Sequence, residues 1–201
     1  MVRNPEAKYS AENRRSERSL QRLPSCPGMI DIQISQASIV DVAADAIVTA
    51  ANSALSGGGG VDAAVHRAAG PGLLEECRKL GACPVGSAVA TSAHELPARW
   101  VIHAVGPVWS GGGKHECELL RSTYQAVLRI ADDLGAESLS IPAISCGAYR
   151  FPEREAAAIA VDSILGHSEP ASSIRLVTLF AFETKILRAY ERALRAAGHG
   201  A

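Results

Sequence analysis

From Ile30 onward, short apolar runs alternate with segments of helical spacing, and no other feature restricts the fold as strongly. Ile30, Ile32 and Ile34 alternate with Asp31, Gln33 and Ser35, the two-residue period of a half-buried strand. Residues 46–51 form a short apolar run suited to a buried strand, and residues 87–92, 100–105, 139–144 and 174–182 read as further strands. Between them, residues 61–69, 73–80, 116–134, 153–165 and 186–197 read as helices, the first closed by Gly70-Pro71-Gly72 and the second by Gly81. Strands interleaved with helices predict an α/β sandwich with helices on both faces of a sheet. At 201 residues, 47% of them hydrophobic, the chain can build one sizeable core. No internal repeat or domain boundary interrupts residues 29–201, which are expected to form a single domain.

Residues 1–28 stand apart, with six Lys/Arg against three Glu and little apolar periodicity. They read as a disordered basic tail, or as an unused extension upstream of a start at Met29. The net charge of −1 leaves no broad electrostatic footprint for nucleic acid or an anionic membrane, and no apolar run reaches the length of a membrane span. The N-terminus lacks the apolar core of a signal peptide. Cys26, Cys77, Cys83, Cys117 and Cys146 are odd in number and show no C-x-x-C spacing, which speaks against a disulfide framework or a zinc site and fits a reducing cytoplasm. A monomer is the default expectation.

The run Gly57-Gly-Gly-Gly60 sits between a buried strand and a helix. Glycine loses the most backbone freedom on folding, so four in a row form either a slack turn or a place where the backbone must touch something. Helix N-termini favour anions, and successive glycine amides can form an anion nest. Asp62 and His66, four residues apart, share a face of the following helix, and Asn52 waits at the end of the preceding strand. Each has a plain structural explanation when taken alone. Together they gather a carboxylate, an imidazole and an amide around an anion pocket. No Lys-Ser/Thr follows the glycines and no G-x-G-x-x-G fingerprint is present, so a P-loop or Rossmann enzyme is disfavoured.

The stretch Ile141-Pro-Ala-Ile-Ser-Cys-Gly-Ala-Tyr-Arg-Phe-Pro152 repeats the design. A strand ends, small residues follow, and a helix starts. Ser145, Cys146, Gly147 and Ala148 can offer a second set of amides, and two such loops could grip a diphosphate from both sides. Tyr149 stands where a ring could cover a sugar. Cys146 has no His close behind it and reads as a small buried residue rather than a nucleophile. Among nine aromatic residues, Phe180 and Phe182 close the last strand, and period-2 alternation would turn them to one side. Phe182 is the better candidate to stack on a base.

These residues resemble a macrodomain of the MacroD type. The similarity is carried by Asp45-Ala-Ile-Val-Thr-Ala-Ala-Asn52, Leu55-Ser-Gly-Gly-Gly-Gly-Val-Asp-Ala-Ala-Val-His-Arg-Ala-Ala-Gly-Pro71, Leu96-Pro-Ala-Arg-Trp-Val-Ile-His-Ala-Val-Gly-Pro-Val-Trp109 and the stretch 141–149. It spans roughly residues 30–195. The resemblance implies a three-layer α/β/α sandwich around a six-stranded mixed sheet, and ADP-ribose as ligand. It also implies removal of mono-ADP-ribose from acidic protein side chains and deacetylation of O-acetyl-ADP-ribose. No cofactor is expected, and no ligand cluster with metal spacing calls for a metal. By the resemblance, Asn52, Asp62 and His66 are the catalytic positions. Gly57, Gly58, Gly59, Gly60 and Val61 form one diphosphate loop, and Ser145, Cys146, Gly147, Ala148 and Tyr149 the other. Tyr149 lies beside the distal ribose, Phe182 over adenine, and Ser38, Ile39 and Ala51 complete the ligand contacts.

Two positions depart from the family pattern. Ala37-Ser38-Ile39 stands where Gly-Asp-Ile is usual, its Asp a partner of adenine, and Thr49 replaces the first Asn of Asn-Ala-Ala-Asn. The expected activity is hydrolysis of ADP-ribosyl esters, with Asp62 as general base or as a group that orients the ribose. A substrate phosphate that activates the water is the other route. A non-catalytic reader of ADP-ribosylated partners and an unrelated nucleotide or sugar-phosphate enzyme are the alternatives.

Overall fold

A computed structural model describes residues 30–167 and 172–198 of the chain, and the basic segment 1–28 lies outside them. The elements follow in the order β1 (Asp31–Ser35), β2 (Ala46–Ala50), α1 (Gly60–Ala69), α2 (Pro71–Leu80), β3 (Ser87–Ser92), β4 (Trp100–Val105), α3 (Glu116–Asp133), β5 (Ser138–Pro142), α4 (Glu153–Leu165), β6 (Leu176–Phe180) and α5 (Thr184–Ala196). The strands form one sheet in the order β1-β6-β5-β2-β4-β3. All neighbours are parallel except β3, which runs antiparallel to β4. The sheet is therefore six-stranded and mixed, as expected.

Side chains alternate across a strand, so each central strand feeds two cores. Ala46 and Val48 of β2 and Ile102 and Ala104 of β4 pack with Leu120, Tyr124, Val127, Ile159, Ile164 and Tyr190 from α3, α4 and α5. Ile47, Val101 and Val105 point the other way and pack with Val65 and Ala69 of α1 and Leu73 and Cys77 of α2. Two helices cover one face and three the other, giving the three-layer α/β/α sandwich. Thr49 and His103 are register partners on the α1–α2 face, and both are fully buried polar residues in otherwise apolar strands.

Asp45 aligns the strands. Its carboxylate accepts from the Glu137 and Ser138 amides and the Ser138 hydroxyl at 2.9–3.0 Å, while its carbonyl accepts from the amides of Arg99 and Trp100. Tied at their starts, β2, β4 and β5 deliver their carboxyl ends to one edge.

Several boundaries shift by one or two residues from the sequence expectation, and three of the shifts have a plain local cause. Helix α2 starts at Pro71 rather than 73, because proline's fixed φ and missing N–H suit the first helical position. Strand β5 stops at Pro142, not 144, since proline has no N–H to extend a ladder. Strand β6 stops at Phe180, not 182, where its partners Ser35 and Pro142 also end.

Candidate active site

Just after β2, the amide of Ala51 donates to Ala104 O at 2.9 Å, the last link before the glycine loop. Asn52 then folds that loop. Its Oδ1 accepts from the amides of Ala54 (3.1 Å) and Ser56 (3.3 Å), and its Nδ2 donates to Gly57 O at 3.1 Å. Gly57 and Gly60 adopt φ of 75° and 58°, the left-handed region open to glycine. Helix α1 begins at Gly60 without a side-chain cap. Its first amides therefore lack helical acceptors, and the positive end of its dipole points into the cleft.

Asp62 lies beneath this loop, 2% exposed. Thr49 Oγ1 donates to its Oδ1 at 2.8 Å. Its Oδ2 is buried and has no hydrogen-bond partner among the described residues. Burial raises the Asp62 pKa, against the Thr49 hydrogen bond and the His66 charge, while the nearby Gly58 amide, which also lowers it, falls short of hydrogen-bond geometry. His66 Nε2 stands 3.8 Å from Oδ1, too far for a hydrogen bond but close enough to pair electrostatically when protonated. The two groups share one face of α1, as their spacing indicates.

After β5, Ser145 takes a left-handed φ of 65°, and its carbonyl accepts from the amide of Phe151 at 3.0 Å. The Arg150 amide closes a turn onto Gly147 O at 2.9 Å, and the Trp109 amide donates to Tyr149 O at 2.9 Å. The Ser145 hydroxyl is buried without a partner among the described residues. The turn sits tightly on Gly106, where a Cβ would lie 2.7 Å from Ile144 Cγ2 and would also strike the Ser145 hydroxyl.

The two loops face each other across a cleft with two lobes. The smaller, about 320 Å³, is walled by Ala51, Asn52, Gly58, Gly59, Asp62, Ser145, Ala148 and Tyr149. The larger, about 450 Å³, is walled by Ser38, Ile39, Cys146, Phe180 and Phe182, with Arg67 and Glu183 at its margin. Gly60, Val61 and Gly147 line both, so the lobes are continuous. Every candidate ligand contact except Gly57 lines a lobe, as do Asn52 and Asp62. Gly57 and His66 do not: a Cβ on Gly57 would lie 3.7 Å from the His66 ring, which stands behind the loop.

Phe180 and Phe182 both reach the larger lobe, but not by strand alternation. Phe180 is buried in the α1–α2 core, whereas Phe182 lies past the end of β6 and is 89% exposed, free to cover whatever enters. Burial pushes the Cys146 thiol up to about 12, so it is no thiolate at neutral pH.

Other groups went unforeseen. The sequence shows no metal-ligand spacing, yet three separate elements bring His66, Cys77 and His103 together, one donor atom from each within 4.8 Å of the others. Burial, then the charge of His66, lowers the His103 pKa to about 4. Thr91 Oγ1 lies 3.0 Å from His103 Nε2. Glu116 organises the Gly111–Gly113 loop beside Trp109, accepting from Ser110 Oγ (2.7 Å) and from the amides of Ser110 (3.0 Å), Gly112 (3.3 Å) and Lys114 (2.6 Å).

A three-layer sandwich with two amide-rich loops at neighbouring strand ends defines a protein built to hold an extended anionic ligand. Residues 48–160 match the family model described as Macro domain. An O-acetyl-ADP-ribose deacetylase of Enterobacter cloacae subsp. cloacae is 45% identical over 171 residues, 83% of this chain and 95% of that protein. A Macro domain-containing protein of Methanosarcina mazei is 55% identical over 133 residues, 66% and 71% of the two chains. A solved macrodomain of Oceanobacillus iheyensis with ADP superposes at a TM-score of 0.78 with 35% identity, covering 83% of this chain and 90% of that one. A macrodomain of Trypanosoma brucei in complex with ADP-ribose gives 0.76 at 34% identity, covering 81% and 68%. The chain belongs to the macro domain family.

Proposed function

We propose that the protein binds ADP-ribose along the two-lobed cleft and hydrolyses ADP-ribosyl esters, both O-acetyl-ADP-ribose and mono-ADP-ribose on acidic protein side chains. The deacetylase relative and the ADP-ribose-bound neighbour support the ligand and the reaction class. The observation that carries the catalytic reading is Asp62, a carboxylate on the wall of the smaller lobe with one buried oxygen left without a partner. Nucleobase in the larger lobe and distal ribose in the smaller would place the diphosphate at Gly60, Val61 and Gly147, which both lobes share. The base would meet Phe182, and the ribose Tyr149 and Asn52.

In the reaction, water oxygen bonds to the ester carbonyl carbon as Asp62 Oδ2 takes the water proton. The bond from that carbon to the ribose oxygen then breaks, and the proton passes to the departing ribose hydroxyl. Burial raises the basicity of Asp62, the direction a general base needs. Thr49 holds the other carboxylate oxygen in place.

The test is release of acetate from O-acetyl-ADP-ribose and of ADP-ribose from a glutamate-modified protein, by wild type and by Asp62→Ala. Asp62→Ala is expected to lower kcat about 10²–10⁴-fold with ADP-ribose affinity largely kept. Near wild-type turnover in the variant would remove Asp62 as the base. Tight ADP-ribose binding by wild type without release of either product would make the protein a reader.

A further inference from the structure

Behind the glycine loop, three elements bring two imidazoles and a thiol together. His66 comes from α1, Cys77 from α2 and His103 from β4, and each offers one ligating atom within 4.8 Å of the others. Cys77 Sγ stands 3.6 and 4.0 Å from the two ring nitrogens of His103. Tetrahedral zinc, with bonds of about 2.0–2.3 Å, sets its ligand atoms roughly 3.5 Å apart, so the three donors, within 4.8 Å of one another, form a three-ligand site once side-chain rotation draws them together. Thr91 Oγ1, 3.0 Å from His103 Nε2, can fix the ring by bonding that nitrogen, which leaves Nδ1, 4.0 Å from Cys77 Sγ, to ligate.

The donor chemistry is also specific. Two imidazoles and a thiol match borderline-soft cations such as zinc and exclude magnesium and calcium, which want oxygen. Charge balances as well. A dication held by a Cys77 thiolate would lie beside Asp62, whose carboxylate is 3.8 Å from His66, so two negative charges meet two positive ones. Cys77 and His103 are fully buried and only His66, with its side chain 13% exposed, meets solvent, so an ion enters past the His66 ring.

We infer that His66, Cys77 and His103 bind a zinc-type cation and that its occupation stops hydrolysis. Binding forms three metal–ligand bonds and releases the Cys77 thiol proton to water. It draws the His66 ring, which stands behind Gly57 and 3.8 Å from Asp62, toward the cation, so the glycine loop and the carboxylate both lose the side chain that backs them. The inhibition rests on the proposed hydrolase reading, whereas the metal site does not.

The experiment titrates the full-length protein with Co²⁺ in the absence of added thiols and follows thiolate-to-cobalt charge-transfer absorption, with Zn²⁺ as competitor. Wild type is expected to develop the band with one equivalent, to lose it on adding Zn²⁺, and to retain it in Cys117→Ala. Cys77→Ala is expected to lose it. His103→Gln, which keeps the thiol, is expected to bind at least about tenfold more weakly. Absence of the band in wild type, or its persistence in Cys77→Ala, overturns the site. In parallel, Zn²⁺ is expected to inhibit O-acetyl-ADP-ribose hydrolysis by wild type at concentrations at least about tenfold below those needed for Cys77→Ala, each measured against its own metal-free rate. Equal sensitivity overturns the inhibition. A protein without turnover in metal-free buffer fails as a hydrolase while the absorption still reports on the site.

Discussion

Asp62 is held where its surroundings only partly satisfy it. One oxygen accepts from Thr49 and the other has no partner among the described residues, so burial wins and raises the pKa. With the folded pKa above the unfolded one, the native state binds more protons between the two values. Stability is then fullest below the unfolded pKa and falls as pH rises through the folded pKa. Asp62→Asn removes the ionising group, so at neutral pH it will melt higher than wild type while turnover collapses, and the gap will close in acid. A variant that melts lower at pH 7 would contradict the assignment of Asp62 as a stability cost kept for function. Thr49 gives the complementary case. Thr49→Val keeps the shape but strips Oδ1 of its donor, at a cost of about 1–3 kcal/mol. It takes away the largest effect opposing the rise, so the acid limb of the pH–rate profile will move to higher pH, and Thr49→Ser will restore it. The Asp62–His66 spacing was legible in the sequence because four residues close one helical turn. The role of Thr49 was not, because only strand register sets it opposite α1. His103 was hidden for the same reason: inside Trp100–Val105 it reads as one more strand residue until β3 and α2 bring Thr91 and Cys77 beside it.

At the scale of elements, the interiors followed from periodicity and the ends followed from neighbours. Alternation located β1, and helical spacing located α3, because burial on one side imposes a period that any stretch of several residues displays. The end of β6 depends instead on where Ser35 and Pro142 stop offering partners, which the segment itself does not record. The loop before α3 is similar. In sequence Gly111–Gly113 marks only a loop, but in the structure the Glu116 carboxylate gathers its hydrogen bonds. The Ser110 hydroxyl, with backbone amides of the loop, holds the Glu116 pKa down to about 2, outweighing burial. Here the folded pKa lies below the unfolded one, so the native state binds fewer protons in that window. The stabilisation is complete above the ordinary glutamate range and is lost as pH falls through about 2. Glu116→Gln will therefore lower the melting temperature at pH 7, and the difference from wild type will shrink as the pH approaches 2. A constant difference across that range would show that the charge is not what orders the loop.

At the scale of the molecule, the site exists because β2 and β5 are neighbours. Helices α1 and α2 leave β2 over one face of the sheet, and α4 leaves β5 over the other. Adjacent strands whose connections depart on opposite faces open a crevice at their carboxyl ends, and both glycine-containing loops border it. The sequence displays each loop but not their meeting, since about ninety residues separate them and neither segment records that β2 and β5 pair, Ala46 beside Leu139 and Ile47 beside Ser140. A cleft assembled this way should respond to its ligand as one unit. ADP-ribose at 100 times its Kd adds about 2.7 kcal/mol, a rise in melting temperature of roughly 5–10 °C for a domain of this size. AMP or ribose 5-phosphate, each occupying one lobe, will add less at the same concentration. Under ADP-ribose, amide hydrogen exchange will slow together across residues 57–61 and 145–149 and stay unchanged across residues 110–114, where Glu116 already orders the backbone. Protection confined to one of the two loops would mean that the ligand does not bridge them, and the shared diphosphate position at Gly60, Val61 and Gly147 would have to be abandoned.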